Sequence, residues 1–377
     1  MKVLFLTQWY PHRYDNMAGL FVRNHAEAVA RQGIDVCVLY CHPDSSTEIV
    51  DQTTNGVREI YLYHTCHPLK ALLRGRNEVL ARWGRPDLCQ VNVLNKNTFL
   101  AYGLYLRWNI PYVVVEHWTG YLPANGDYLR NNSPLQRRLY EFVARKAKCI
   151  LPVSDMLRQA MQACGIRNNR WQVLNNVVQD SFYKPVSRPL NTSKQPEGKP
   201  FELLHVSCFN EKAKNVRGIL NAVKRLETRR QDFTLTLIGT GQDFDAVTAY
   251  AQELGLSPQR VRFVGEKAPD EVGLAMRQSD LFILFSRFEN APVVLSECLA
   301  VGLPVVSSRV GGIHEMIPHE AGILIPSEDE NALLEAIDSM LNHLQNYHPE
   351  TIRTYGEKYS YPAVGADLKA LYESVLS

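Results

Sequence analysis

Apolar and polar positions follow two periods along this chain. Short apolar runs bounded by turn residues recur at 3–6, 35–40, 57–63, 88–93, 112–115 and 150–153, and they read as strands. Stretches with helical spacing lie between several of them, at 20–31, 98–107, 135–146 and 156–164. From Lys184 to Pro200 the chain is rich in Pro and polar residues and has no period, the pattern of a linker. The alternation then restarts. Strands are expected at 203–207, 234–238, 261–264, 281–285 and 304–307, and helices at 216–226, 244–254, 271–277, 293–301 and 331–343. No internal repeat is visible. Such alternation predicts parallel sheets with right-handed crossovers. The expected fold class is α/β, with two Rossmann-like domains at 1–183 and 201–360 joined by the linker 184–200. Ligands of such sheets bind at the carboxyl ends of the strands, so the two sheets should face a cleft.

Composition leaves this picture intact and narrows the classes. The chain has 377 residues, enough for two or three cores. It is 45% hydrophobic and 21% charged, as soluble globular proteins are. The N-terminal apolar run is too short for a signal segment and reads as a first strand. No stretch is long and apolar enough to cross a bilayer. The eight cysteines are scattered without a CxxC pair, which fits reduced thiols in a cytoplasm.

The net charge of +2 hides an asymmetry. Residues 1–185 carry a balance of +8 and residues 186–377 a balance of −6. A basic first half suggests an acidic surface or an anionic substrate, with no nucleic-acid motif beside it. Part of that charge lies at 67–85, where Leu and Trp mix with Lys and Arg. This suits both a membrane-surface segment and a solvated helix face, and Gly75 should interrupt any long helix there.

The candidate chemistry centres on Glu289 and Glu297, in Ser286-Arg287-Phe288-Glu289-Asn290-Ala291-Pro292-Val293-Val294-Leu295-Ser296-Glu297. Glu289 follows a strand, and Glu297 falls in the second turn of the next helix. A carboxylate there can accept two hydrogen bonds side by side, which suits a ribose diol. The backbone N–H groups of Ala291, Val293 and Val294 surround a helix start, which attracts phosphate. Together they spell a nucleotide diphosphate. Val310-Gly311-Gly312 after the next strand reads as a backbone approach to ligand. Lys214, after the strand at 203–207, can neutralise a departing pyrophosphate. Gly19 opens a helix, giving a second phosphate-facing start or an acceptor surface. His117 ends a strand, where it either touches a sugar or packs and caps.

Two motifs point elsewhere. Asp243-Phe244-Asp245 has metal-site spacing but opens a helix, where capping is the plainer role. Gly239-Thr240-Gly241 lacks the third glycine of a dinucleotide fingerprint, which argues against a dehydrogenase.

With Gly302-Leu303-Pro304-Val305, Gly311-Gly312 and Glu315, the Glu289–Glu297 pattern resembles the retaining family 4 glycosyltransferases, which have the GT-B fold. The likeness runs from Gly19 and His117 through Val153-Ser154 and Asn176-Val177-Val178 to the last helix. It implies a nucleotide diphosphate sugar donor, UDP or GDP, a saccharide or lipid-linked acceptor, and no metal or other cofactor. Glu297 would hold the ribose, Glu289 the transferred sugar and Lys214 the pyrophosphate. His117 and Gly19 would contact donor and acceptor, and Tyr121 the acceptor. Val264 and Gly265 would flank the base, with Gly241 also on the donor side. The segment 361–377 would cross back to the first domain. The family often has Arg six residues before the lysine, where this chain has Cys208; Lys212 substitutes only if its loop aims it inward. The basic first half, the lack of a signal segment and the scattered thiols suggest bacterial surface polysaccharide or glycolipid synthesis, in the cytoplasm or at the inner membrane face, in contact with anionic lipid. A catalytically weak binding protein and a nucleotide-sugar epimerase of the same fold are the rival readings.

Overall fold

The computed structural model describes residues 1–184 and 199–377; most of the expected linker, 185–198, lies outside the described residues. The chain divides into two compact units, Met1–Val177 with Ser360–Ser377, and Val178–Tyr359.

The first unit holds strands β1 (Lys2–Thr7), β2 (Asp35–Pro43), β3 (Glu48–Thr54), β4 (Val57–His64), β5 (Leu88–Asn92), β6 (Tyr112–Glu116) and β7 (Ile150–Pro152). Their order is β3-β4-β2-β1-β5-β6-β7, parallel throughout except for β3 against β4. The central strands are apolar on both faces because helices cover both faces of a parallel sheet. Successive strands run outward from β1 through β2 to β4, and β5 then pairs with the other side of β1. That reversal opens a crevice at the carboxyl ends of β1 and β5.

Three local features depart from the sequence pattern. Strand β3, Glu-Ile-Val-Asp-Gln-Thr-Thr, is largely exposed, so no apolar period marks it. It is instead made by the turn Asn55-Gly56, whose residues both take positive φ (50° and 81°) as a tight hairpin requires. Strand β13 (Gly322–Ile325), at the edge of the second unit's sheet, also escapes the pattern. Gly75 does not interrupt its helix, which runs unbroken from Pro68 to Arg82. A Cβ on Gly75 would lie 2.9 Å from Leu39 Cδ1 and 3.1 Å from Cys41 Sγ, so the glycine lets the helix lie close on the sheet.

The last helix, Tyr361–Leu376, packs on Leu20–Ala30. Tyr361, Val364, Leu368, Leu371 and Tyr372 enter the same core as Val3, Phe5, Val22 and Val29. The Tyr372 hydroxyl donates to Gln90 Oε1, and Tyr361 reaches Glu27 Oε2 at 3.1 Å.

The second unit is a wholly parallel sheet of β8 (Phe201–Val206), β9 (Phe233–Ile238), β10 (Val261–Phe263), β11 (Leu281–Leu284), β12 (Val305–Ser308) and β13 (Gly322–Ile325). The order is β10-β9-β8-β11-β12-β13. Here too the strand order reverses, between β8 and β11, and the loops that follow these two strands border the crevice so formed.

Leu368 is fully buried in the first core. Leu368→Ala should cost about 2–5 kcal/mol, the usual range for a buried leucine truncated to a partly unfilled cavity. Urea denaturation followed by circular dichroism should show the earlier transition.

Candidate active site

In the second unit one side chain joins β8 to β11 where the strand order reverses. His205 on β8 bridges to the Ile283 carbonyl of β11 through Nδ1 (2.9 Å) and to Ser207 Oγ through Nε2 (2.7 Å). Burial lowers its pKa to about 4, so the ring is neutral at physiological pH. After β8 the chain forms the short helix Glu211–Lys214, whose first N–H donates to Asp243 Oδ2 at 2.8 Å. Asp243 therefore caps its neighbour: it holds the N-cap position of Phe244–Glu253 but makes no side-chain bond to that helix. Asp245 lies in the first turn of Phe244–Glu253.

Lys214 and Glu289 meet here. Lys214 Nζ donates to Glu289 Oε1 at 2.5 Å, and Ser286 Oγ donates to the same oxygen at 2.8 Å. Glu289 is only 7% exposed. Burial works against charge on Lys214, but the Glu289 carboxylate outweighs it and the lysine pKa is raised. Arg287 ties the two loops together. Its guanidinium reaches the Glu211 carbonyl, Asn215 Oδ1 (2.9 Å) and Glu328 Oε1 (2.8 Å), and its N–H reaches the Ala213 carbonyl at 2.7 Å. This positioning residue is not singled out by the sequence; the signal available was an arginine beside the strand-end serine. Lys212 points outward and is exposed, and Cys208 at the end of β8 is exposed as well.

The helix Val293–Val301 starts immediately after this loop, with Pro292 at its N-cap and no side-chain cap. Glu211 caps the other nearby helix, Val216–Leu226, through the N–H groups of Val216 (2.8 Å) and Arg217 (3.2 Å). Among the described residues no side chain caps the start at Val293 and Val294. Glu297 stands one turn further along, on the same side as Val293. It is partly exposed, and no described residue donates a hydrogen bond to its carboxylate. Burial pushes its pKa up to about 7.

The Gly311-Gly312 turn reads differently in three dimensions. A Cβ on Gly311 (φ +52°) would sit 1.7 Å from the Glu289 carbonyl, and Gly312 N–H donates to the Asn290 carbonyl at 2.9 Å. The close approach is to the protein's own Glu289 loop, which the turn buttresses. Gly241 is explained in the same way: its missing Cβ makes room for the backbone of Phe209, 2.7 Å away. Val264 is exposed and Gly265, at φ +70°, has open space where a side chain would be; its carbonyl accepts from Gly239 N–H at 2.8 Å. Ala291 lies on the loop between Glu289 and Pro292, half-buried.

In the first unit Gly19 (φ +59°) is the N-cap of Leu20–Ala30, and a Cβ there would lie 2.3 Å from the Trp9 carbonyl group. Two residues on, the Phe21 ring packs against His117, 4.2 Å between centroids, and His25 lies 5.6 Å away. The structure thus brings His117 and the helix of Gly19 together. Burial, and then His25, hold the His117 pKa well below its usual value, so this ring is neutral. Beneath it lies Glu116, fully buried, which the sequence reading overlooks. Its carboxylate accepts from the N–H groups of Leu94 (2.9 Å), His117 (3.0 Å) and Trp118 (2.9 Å) and so fixes the loop carrying the histidine. Tyr121 does not offer the expected acceptor contact. It is enclosed, stacked on Tyr128 at 4.5 Å with Trp118 edge-on at 5.5 Å.

Residues 188–358 match the family described as glycosyl transferases group 1, and residues 18–182 match Glycosyltransferase Family 4. The chain belongs to the family 4-type glycosyltransferases, and its two α/β units have the GT-B fold. It is 28% identical over 214 residues to N-acetyl-alpha-D-glucosaminyl L-malate synthase of Bacillus anthracis, covering 56% of this chain and 54% of that one. It is 36% identical over 141 residues to the amylovoran biosynthesis glycosyltransferase of Erwinia amylovora, covering 36% of this chain and 34% of that one. These matches span about half and a third of the relatives' lengths. An Anabaena protein solved in complex with UDP-glucose has a TM-score of 0.73 at 18% identity, covering 99% of this chain and 100% of that one. Among the described residues no helix is long and apolar enough to cross a membrane.

The raised pKa of Glu297 has a direct consequence for stability. An ordinary unfolded glutamate ionises near 4.5, so between that pH and about 7 the unfolded state gains charge that the folded state resists. Glu297 therefore weakens the fold as pH rises through this window, with the full effect above it. Glu297→Gln should raise the melting temperature at pH 8 and leave it nearly unchanged at pH 4.5, measured by scanning calorimetry.

Proposed function

We propose that this chain transfers a sugar from a UDP- or GDP-sugar to an acceptor hydroxyl, with retention at the anomeric carbon and without a metal. The observation that carries the reading is the pairing of Lys214 with Glu289 at the β8–β11 reversal, beside a helix start and a Glu297 carboxylate that no described residue bonds. Glu297 would accept the two ribose hydroxyls, the N–H groups of Val293 and Val294 would receive a phosphate, and Val264 and Gly265 would flank the base. The second unit is the donor domain in this scheme. The first unit, carrying His117 and Gly19, is the acceptor domain.

The chemistry then needs little beyond placement and charge. The bond from the anomeric carbon to the phosphate oxygen breaks while the bond to the acceptor oxygen forms on the same face. The acceptor proton passes to the departing phosphate oxygen. Lys214 is released from Glu289 toward the phosphate as negative charge builds there, and Glu289 is freed to bond a hydroxyl of the transferred sugar. The neutral His117, fixed by Glu116, would donate to or accept from a sugar hydroxyl. Cys208 and the outward Lys212 leave Lys214 to act with the helix start at Val293. Cys208 also favours a second reading, a protein that binds donor without turning it over. Free nucleotide and a glycosylated product after incubation with donor and a lipid extract would support transfer; donor binding without either would support the second reading.

The acceptor is proposed to be a saccharide or lipid-linked intermediate of surface polysaccharide or glycolipid synthesis, met in the cytoplasm at an anionic membrane face. The +8 balance of the first half supports this, as does the amylovoran relative.

Lys214→Met should lower kcat by about a hundred- to a thousandfold with donor saturating, the usual effect of removing a group that stabilises developing charge. Full turnover in that variant would remove the assigned role. Glu297→Ala should instead weaken donor binding about tenfold or more, since two hydrogen bonds to a charged group are lost. The carboxylate is the bonding form, so donor affinity should fall as pH drops through about 7, and Glu297→Gln should flatten that profile. Thermal shifts with UDP, GDP and their sugars would read both effects and identify the base.

A further inference from the structure

We propose that the outer face of the helices Lys96–Trp108 and Pro134–Lys146 is the surface by which the first unit docks on an anionic lipid bilayer. This deepens the membrane reading given above and rests on it. Leu135, Leu139 and Phe142 are spaced i, i+4, i+7, so they share one side of their helix. That side faces solvent: the three are 67%, 44% and 45% exposed. The core side of the same helix is supplied by Val143 and Ala144, both fully buried. The neighbouring helix adds Leu106, 66% exposed, and the half-buried Tyr102 and Tyr105. Ring contacts join the two helices, Phe99 with Tyr140 at 5.7 Å and Tyr102 with Phe142 at 5.3 Å, so their apolar side chains form one patch. A patch of this kind on a soluble surface marks an interaction site.

Charge decides what covers it. Residues 134–148 carry Arg137, Arg138, Arg145, Lys146 and Lys148 against Glu141, and the helix Lys96–Trp108 has two cations and no acid. Arg107, Arg138, Arg145, Lys146 and Lys148 are exposed, and among the described residues none of the five sits in an ion pair. Long cationic side chains around exposed Leu, Phe and Tyr can hold their ends at lipid phosphates while their stems and the rings enter the interface. Lys146 already lies over Phe142, 5.9 Å from its centroid. The excess of cations around exposed apolar side chains fits an anionic lipid sheet.

The segment 67–85 fits less well. Its helix exposes Leu69 and Leu73 beside Lys70 and Arg74, but it presents no exposed ring, and Arg82 is engaged by Glu78 at 2.9 Å and lies 3.6 Å from Asp51.

The test is flotation of the full chain with vesicles of phosphatidylcholine alone or mixed with phosphatidylglycerol, at low and high salt. Each exposed cation near an anionic surface strengthens binding about fivefold. The wild type should float with the mixed vesicles at low salt, less at high salt, and not with phosphatidylcholine alone. Leu135→Ser/Leu139→Ser/Phe142→Ser and Arg138→Glu/Arg145→Glu/Lys146→Glu should each lose at least tenfold in binding. Leu69→Ser/Leu73→Ser should keep it. These are surface changes, so the melting temperature and the nucleotide-induced thermal shift should match wild type and report an intact fold and donor site. If wild type and both triple variants float equally, the assigned surface is wrong while the membrane reading stands. If wild type does not float, both fall. A concentration-dependent dimer of wild type that the triple variants abolish, without flotation, would assign the patch to a second copy of this chain and overturn the bilayer.

Discussion

The bond between Lys214 and Glu289 joins opposite charges at a site with little solvent. It is also the place where two non-consecutive strands of a parallel sheet become neighbours. A carboxylate there without the lysine would be an uncompensated charge in a poorly solvated site. The neighbouring structure serves to keep the pair in register. Arg287 fastens the Glu289 loop to the Lys214 helix, Ser286 shares the accepting oxygen, and the glycine turn at 311 presses on the Glu289 backbone. Asp243 and Glu211 close the two helix starts near Lys214 and leave the one at Val293 without a side-chain cap. One charged pair thus has a rigid frame on every side except that of the open helix start and Glu297.

Much of this was legible in the sequence because parallel strands are buried on both faces and so appear as uninterrupted apolar runs. β1, β5, β6, β11 and β12 follow that rule, whereas β9 interrupts it with Thr234 and Thr236 and β10 with the exposed Arg262. The failures have separate physical causes. β3 is an exposed edge whose signal lay in the Asn55-Gly56 turn and not in hydrophobicity. β13 is the edge strand of its sheet, and its two central residues are only half-buried. Gly75 reads as a helix breaker when propensity alone is weighed, but the sheet below it needs the absent side chain.

In the candidate site the sequence marks Lys214 and Glu289, which the structure brings together, better than it marks the role of the nearby glycines. Glu289, Glu297 and Lys214 follow strand ends or open helices, where spacing alone points to ligand. Gly311 and Gly241 follow strand ends too, yet the groups they approach are backbone atoms of Glu289 and Phe209. A sequence cannot say whether a glycine makes room for a ligand or for another part of the chain. Nor could it show Glu116, whose interest comes from three converging N–H groups, or the enclosure of Tyr121 by two aromatic neighbours.

The return of the last helix to the first unit orders events during synthesis. Tyr361, Leu368 and Tyr372 complete a core whose other half, from Val3 to Val177, emerges from the ribosome long before them. The second unit is one continuous stretch, and its two ends are held together by the Val178 N–H on the Tyr359 carbonyl at 2.8 Å. It has all its strands before the first unit has its final helix. The flank of Leu20–Ala30 is therefore covered by a segment made only after every strand of the second unit.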